Sequence, residues 1–353
     1  IMKAYFKKNG KIGFFDKDFA LEALNSKRNI LERISKVIDF ELFRPILEDA
    51  VLNKNKKNNS GAKPYDPVLL FKILILQRIY NLSDEAAEYQ IIDRLSFKNF
   101  LGLASGDKVP DQNTIWSFRE KLGEKDTVSD LFNTFHALLQ ENGLMINEGK
   151  MIDATFVEAP RQRNTREENA KIKAGQGDEL WNDQPHKKCQ KDIDARWTKK
   201  NGQNYFGYKN HVKADPGTKL ITNYVVTDAS VHDSQVLEDL LEESDAKQPL
   251  YADSAYTGAL QDEIIEKYDM VNQVNEKGYK GRPLTETQIA NNRIKSKTRA
   301  RVEHIFGFME QSMHRITVRC VGLARSFAII GLDNLVYNMC RYEQIIRLSS
   351  IKG

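Results

Sequence analysis

Apolar residues recur every three to five positions through the first part of the chain, a spacing typical of helices with one buried face. In residues 17–52 the positions are Leu31, Ile34, Ile38, Leu42 and Leu47. Pro67 is suited to open the next helix, which runs to residue 80, and Ser83 is suited to cap the helix after it. Further helices are predicted near 92–101, at 112–122 and at 127–142. The first 145 residues are therefore predicted to be helical.

The period changes after Gly143, where short apolar runs bounded by turn residues indicate strands. Strands are predicted at 150–157, 205–213 and 220–226, with a turn at Asp215-Pro216-Gly217. Helices at 236–241, 257–267 and 287–315 then alternate with strands at 249–252 and 270–274. Three strands followed by this alternation predict a mixed five-stranded sheet with flanking helices, as in the RNase H-like fold.

Two segments break the periodic pattern. Residues 53–61 are polar, basic and flexible, which indicates a linker. Residues 158–204 carry 11 Lys and Arg against 8 Asp and Glu and are too long for an ordinary loop, so we interpret them as an insertion after the first strand. The predicted divisions are a helical element with its linker (1–60), a helical DNA-binding domain (61–145) and an RNase H-like catalytic domain (146–346).

Composition narrows the function classes. The chain has 353 residues, 41% of them hydrophobic, which excludes a disordered protein. Its net charge is only +4, so a site for a polyanion must come from clustered cations. Three cysteines, Cys189, Cys320 and Cys340, lack close pair spacing and favour a reducing compartment. Neither a signal peptide at residues 1–6 nor a membrane span is indicated, so we expect a cytoplasmic protein.

Three acids are candidates for catalysis. Asp153 lies in the middle of a predicted strand, where an unpaired acid is costly. Asp253 follows the fourth strand at its carboxyl end, where open sheets place ligands. Glu303 falls at the edge of an apolar helical stripe. Each acid alone has a structural explanation, as a helix cap or as a partner of Arg299, but converging carboxylates would need divalent cations, so we expect two Mg²⁺ ions, with Mn²⁺ as a substitute.

Basic residues flank these acids. Residues 291–301 hold five Lys and Arg and no acid, and Arg293, Lys297 and Arg301 are predicted to share one helical face. In the hairpin, alternation predicts a second basic surface at Lys209, His211 and Lys213, opposite an apolar face. Each set is also compatible with a solvated or packed face that binds nothing.

The 112–122 helix has the pattern of a recognition helix. Ile115, Phe118 and Leu122 form its apolar face, and Asn113 and Arg119 are predicted to turn outward. The same pattern describes any amphipathic surface helix.

Other signals are weak. His186 and Cys189 have no partner pair for a zinc site. Trp181 and Trp197 are suited either to stacking on a base or to a local core. No glycine loop for phosphates is present, so no nucleotide cofactor is predicted.

Five segments together resemble bacterial insertion-sequence transposases of the DDE class, most closely the family named for insertion sequence five. They are Met151–Thr155, Gln190–Trp197, Phe206–His211, Tyr251–Tyr256 and Arg301–Gly307, joined upstream by Pro64–Lys72. The resemblance covers about residues 20–345.

The resemblance implies that Asp153, Asp253 and Glu303 bind two metal ions. Arg299 matches the arginine of the related Y-R-E-K signature, but Ser296 and Glu310 stand at its tyrosine and lysine positions. The residues that we expect to contact DNA are the basic and polar ones described above, with Arg299 added: Arg293, Lys297, Arg299, Arg301, Lys209, His211, Asn113 and Arg119. The implied reaction is hydrolysis at the element's terminal inverted repeats and strand transfer into target DNA, by a homodimer assembled on DNA.

Two other functions share these residues. A decayed copy would bind DNA and repress without catalysis, and a Mg²⁺-dependent nuclease would cleave DNA without joining it. The intact acids argue against the first alternative, and the sequence does not separate the second.

Overall fold

The structure is a computed structural model that describes residues 22–23, 29–51, 63–104, 106–124, 126–145, 148–200, 202–314 and 316–352. Residues 1–6 and the predicted linker at 53–61, on which two of the expectations above depend, lie outside the described residues. Among the residues described, no helix combines the length and the apolar character needed to cross a membrane.

The amino-terminal part is helical, as predicted. Its helices are α1 Ile30–Val37, α2 Arg44–Val51, α3 Pro67–Tyr80, α4 Asp84–Asp93, α5 Leu95–Leu101, α6 Gln112–Glu124 and α7 Thr127–Glu141, with a 3-10 turn at Phe40–Phe43. Pro67 opens α3, and the Ser83 side chain caps α4 by accepting a hydrogen bond from the Ala86 amide. Both predicted helix starts are therefore confirmed. Four of the five apolar positions predicted in residues 17–52 are buried, and Leu42 is exposed.

The sheet is mixed, with helices packed on it. Its strands are β1 Lys150–Glu158, β2 Arg196–Lys200, β3 Gln203–Ala214, β4 Ile221–Asp228, β5 Pro249–Tyr251 and β6 Val271–Asn272. β3 pairs antiparallel with β1 and β4, and β5 pairs parallel with β1 and β6. Apart from β2, the spatial order is β4-β3-β1-β5-β6, which confirms the predicted RNase H-like fold.

The sixth strand comes from the predicted insertion. Within residues 158–204 the chain forms α8 Arg166–Lys173, the single turn α9 Pro185–Lys188 and β2, which pairs with the start of β3. Ile172, Leu180 and Trp181 make a small core of their own, whereas Trp197 remains half exposed. The insertion is therefore a folded extension of the sheet.

The short helices α10 Leu237–Leu240 and α11 Ala259–Lys267 follow β4 and β5. The predicted long helix at 287–315 is wrong, because the chain breaks at 300–302 and forms α12 Glu286–Arg299 and α13 Glu303–Gln311. The break lies directly before Glu303, so it sets the position of Glu303 relative to the sheet.

A carboxyl-terminal helix, α14 Leu323–Lys352, ties the two parts of the chain together. It packs against α1, α3, α6 and α7 of the amino-terminal part and against β4 of the sheet. Arg78 of α3 and Asp333 of α14 form a buried bidentate ion pair, with nitrogen–oxygen distances of 2.6 and 2.9 Å. One continuous apolar cluster runs from the amino-terminal helices to the sheet face that carries Asp153.

Candidate functional site

Two aspartates lie close together at one end of the parallel strands β1 and β5: Asp153 is in β1, and Asp253 follows the end of β5 by two residues. The pairing of β1 with β5 aligns Lys150 with Leu250 and Met151 with Tyr251. The same direction of the chain beyond these pairs leads to Asp153 on one side and Asp253 on the other, and the two are near enough for the charge of Asp253 to act on Asp153. Met151 and Tyr251 both pack on the larger apolar cluster, and by the alternation along a strand the two aspartates share that face.

The environment of Asp153 disfavours its charge. Burial, together with the negative charge of Asp253, raises the pKa of Asp153 to about 6, although the Ala154 amide and the Arg299 guanidinium act in the opposite direction. Burial and the charges of nearby aspartates also raise the pKa of Tyr256, which lies next to this strand end. The Asp253 carboxylate accepts a hydrogen bond from the Ala255 amide at 2.7 Å and so caps a short 3-10 turn.

Glu303 is linked to Asp153 by an arginine that contacts both side chains. It is the first residue of α13, and its side chain is 64% exposed. Arg299, the last residue of α12, places Nη1 3.4 Å from Asp153 Oδ2 and Nη2 3.4 Å from Glu303 Oε1. Val302, Ile305 and Met309 anchor α13 in the core, as the apolar stripe predicts.

The described residues contain no group of three His, Cys, Asp or Glu side chains close enough to hold a metal ion. The structure thus brings Asp153 and Asp253 together, and Glu303 is joined to Asp153 only by Arg299. The donor set nevertheless fits a hard divalent cation, because it consists of carboxylate oxygens alone and because a partly buried carboxyl with a raised pKa is stabilised by positive charge.

An exposed basic helix lies next to this site. No residue of α12 is buried, and Arg293 and Lys297 are exposed on it. Arg301 does not share their helical face as predicted, because it lies in the break after α12, where Nη1 donates a hydrogen bond to the Pro216 carbonyl.

The basic surface predicted for the hairpin is wrong. The alternation is present, but Lys209, His211 and Lys213 are all buried. Lys209 pairs with Asp233, and Lys213 pairs with Asp245 at 2.6 Å. Their face is the one opposite Asp153, because residues directly paired across antiparallel strands point the same way and Asp153 pairs with Val212.

His211 is buried in the same layer, where its Nε2 lies 2.9 Å from the Thr227 hydroxyl. Burial lowers the pKa of His211 to about 4, so the imidazole is neutral near pH 7. A buried neutral histidine cannot reach a DNA phosphate. Neither His211 nor Lys209 is therefore a DNA contact in this structure.

The amphipathic pattern of α6 is correct, with Ile115, Phe118 and Leu122 buried and Asn113 exposed. The outward orientation predicted for Arg119 is wrong. Its guanidinium forms a bidentate pair with Asp84 of α4, at 2.6 and 2.8 Å. Trp116 on the same helix is half exposed and was not among the predicted residues. A large aromatic residue on the polar face of an amphipathic helix could have pointed to it.

The Gln190–Trp197 segment has a structural role that its spacing alone did not reveal. Asp192 is buried and accepts hydrogen bonds from the Tyr208 hydroxyl at 2.7 Å and the Gly322 amide at 3.1 Å. Asp194 accepts one from the Leu323 amide at 2.8 Å. The two aspartates therefore join the insertion, the sheet and the start of α14.

Two family models and one solved structure are similar to this chain. Residues 148–339 match the family model described as "Transposase DDE domain", and residues 19–121 match one described as "Transposase domain (DUF772)". The chain is also similar to a solved structure titled "Cryo-EM structure of piggyBac transposase synaptic complex with hairpin DNA (SNHP)", with 12% identity and a TM-score of 0.44. That similarity covers 88% of this chain and 75% of the other.

Proposed function

The chain belongs to the transposase DDE domain family, and from this premise we propose that it binds the terminal inverted repeats of an insertion sequence, cleaves there and transfers the strand into target DNA. Membership of the group named for insertion sequence five is part of the proposal. We place its action in the bacterial cytoplasm, on nucleoid DNA, as a homodimer that joins two element ends.

One observation carries the proposal: Asp153 in β1 and Asp253 just past the end of β5 lie near each other, and Arg299 at the end of a basic helix links Asp153 to Glu303. An acid whose pKa is raised by burial and by a second acid is typical of a functional site. In a structural role, the same position would be filled at lower cost by an apolar residue.

Asp153, Asp253 and Glu303 are the residues that would hold two divalent ions, Mg²⁺ or Mn²⁺. Bound there, such ions supply activation of the attacking oxygen and stabilisation of the leaving oxygen in phosphodiester cleavage. Asp153 offers carboxylate oxygens from within β1, and Asp253 offers them from the cap of the 3-10 turn that follows β5. Glu303, largely exposed at the start of its helix and paired with Arg299, would reach them by a change of rotamer.

The DNA backbone is proposed to run along α12. Arg293 and Lys297 present exposed cations there, which suits phosphate contacts that position DNA without reading its sequence. Arg299 lies at the end of this helix against two of the acids, and Arg301 follows in the break, with its guanidinium on the Pro216 carbonyl. Base contacts are proposed for α6, where Asn113 is exposed and suited to reading adenine, with Trp116 beside it.

The testing experiment incubates the protein with Mg²⁺, a labelled duplex carrying an element end and a plasmid target. Glu303→Gln is compared with Glu310→Gln, which removes an equal charge from an exposed position two turns further along α13. We expect cleavage and joining by the wild type and by Glu310→Gln, and neither reaction by Glu303→Gln, with end binding retained by all three.

Asp153→Asn and Asp253→Asn are expected to behave like Glu303→Gln. Cleavage retained by any of these variants removes that residue from the proposed site. Cleavage without joined product by the wild type supports the nuclease alternative. Binding without cleavage in either metal, on verified cognate ends, supports the non-catalytic DNA-binding alternative.

A further inference from the structure

Arg299 lies between two of the proposed metal-binding acids. Its two terminal nitrogens reach Asp153 and Glu303, each at 3.4 Å, and its side chain is only 20% exposed. The Nε atom is buried without a hydrogen-bond partner. The arginine is therefore held at this position mainly by the two carboxylates, in long contacts at the outer limit of hydrogen bonding.

We propose that Arg299 is a positioning residue that occupies the cation site of the metal-free protein and competes with divalent metal for Asp153 and Glu303. This inference rests on the proposed function, since it concerns the same acids. A carboxylate oxygen that faces a guanidinium is not available to a metal ion, and a fixed positive charge a few ångströms away repels a divalent cation. Metal binding therefore requires the guanidinium to move away from between Asp153 and Glu303.

The position of Arg299 in the chain allows this exchange. It ends α12, and only the three-residue break at 300–302 separates it from Glu303. Once displaced, the guanidinium stays at the end of the exposed basic helix, where a DNA phosphate replaces the lost carboxylates as its partner. Metal binding and DNA binding then favour each other, because coupling between two sites is reciprocal. Arg299 would hold the site inactive until both are present.

Mn²⁺ binding to the full chain tests this without any measurement of catalysis. Free Mn²⁺ is titrated by electron paramagnetic resonance, in the absence of DNA and at about pH 8, where Asp153 with its pKa about 6 is ionised. We expect Arg299→Leu to bind Mn²⁺ roughly three- to tenfold more tightly than the wild type, a range set by the loss of one partly exposed charge. Arg299→Lys, which restores the charge, should return the affinity toward the wild-type value.

Lys267→Gln is the matched control. It removes the same charge from an exposed ion pair with Glu238, and we expect it to leave the Mn²⁺ affinity unchanged. Circular dichroism of each variant verifies that the fold is retained.

Equal or weaker Mn²⁺ binding by Arg299→Leu, with binding still lost in Asp153→Asn, overturns the competition and leaves the proposed metal site standing. If neither the wild type nor Arg299→Leu binds Mn²⁺, or if Asp153→Asn does not reduce the binding, the proposed metal site itself is contradicted.

Discussion

The Asp153 carboxylate should destabilise the metal-free protein, so Asp153→Asn is expected to increase its stability. The pKa of Asp153 is about 6 in the folded chain, against about 3.9 in an unfolded one, and its side chain is only 18% exposed. A carboxyl whose folded pKa is raised loses stability as the pH rises through the interval between the two values. About two units at 1.36 kcal/mol each give a cost of about 3 kcal/mol once the pH exceeds 6.

The same linkage predicts the pH dependence. Near pH 5 the unfolded carboxyl is ionised and the folded one is still mostly protonated, so the cost is about 1.5 kcal/mol. The stabilisation by Asp153→Asn should therefore roughly double between about pH 5 and about pH 7.5. The asparagine keeps the acceptor oxygen that faces the Ala154 amide, so local geometry is preserved.

Urea unfolding in EDTA, followed by tryptophan fluorescence at both pH values, measures this. Asp239→Asn, at an exposed position on α10, removes the same charge and should change the free energy of unfolding little at either pH. A loss of stability in Asp153→Asn, or a gain independent of pH, would refute the account of the Asp153 environment. If Asp153→Asn gains stability and loses cleavage, Asp153 serves catalysis and destabilises the fold.

Three further predictions follow from other parts of the molecule. Gly207→Ala should cost roughly 3 kcal/mol or more in urea unfolding, because its Cβ would clash with the Val157 carbonyl oxygen of β1. Gly175→Ala, also at positive φ but in open space, should cost only about 1 kcal/mol. Arg78→Met should cost about 3 to 5 kcal/mol by leaving its buried aspartate partner unpaired, and a smaller loss in the same assay would show that the pair is not a buried one. Lys297→Gln should reduce the slope of log K against log salt concentration for DNA binding by about 1, the value of one phosphate contact, whereas Lys209→Met should leave the slope unchanged. An equal effect of the two substitutions would contradict the burial of Lys209.

Local sequence patterns predicted the structure correctly where a residue's role depends on its neighbours in sequence. The starts of α3 and α4 follow from Pro67 and Ser83, because proline geometry and side-chain capping act within one turn. The hairpin strands followed from alternation and the turn residues between them. The long helix at 287–315 failed because nothing local to residues 300–302 forbids a helix, and the break comes with the packing of Val302 into the core.

The sequence by itself determined the element order, the RNase H-like sheet and the position of Asp153 in β1 and of Asp253 just after β5, since these follow from local patterns along the chain. Only the tertiary structure decided which basic residues are accessible. Alternation states that Lys209 and His211 share a face of β3 but not whether another layer covers it, and the layer that does cover it supplies Asp233 from a different part of the chain. The same holds for Arg119, turned to Asp84, and for Arg299, placed between two acids, because ion pairing depends on distances in space that separation along the chain does not encode.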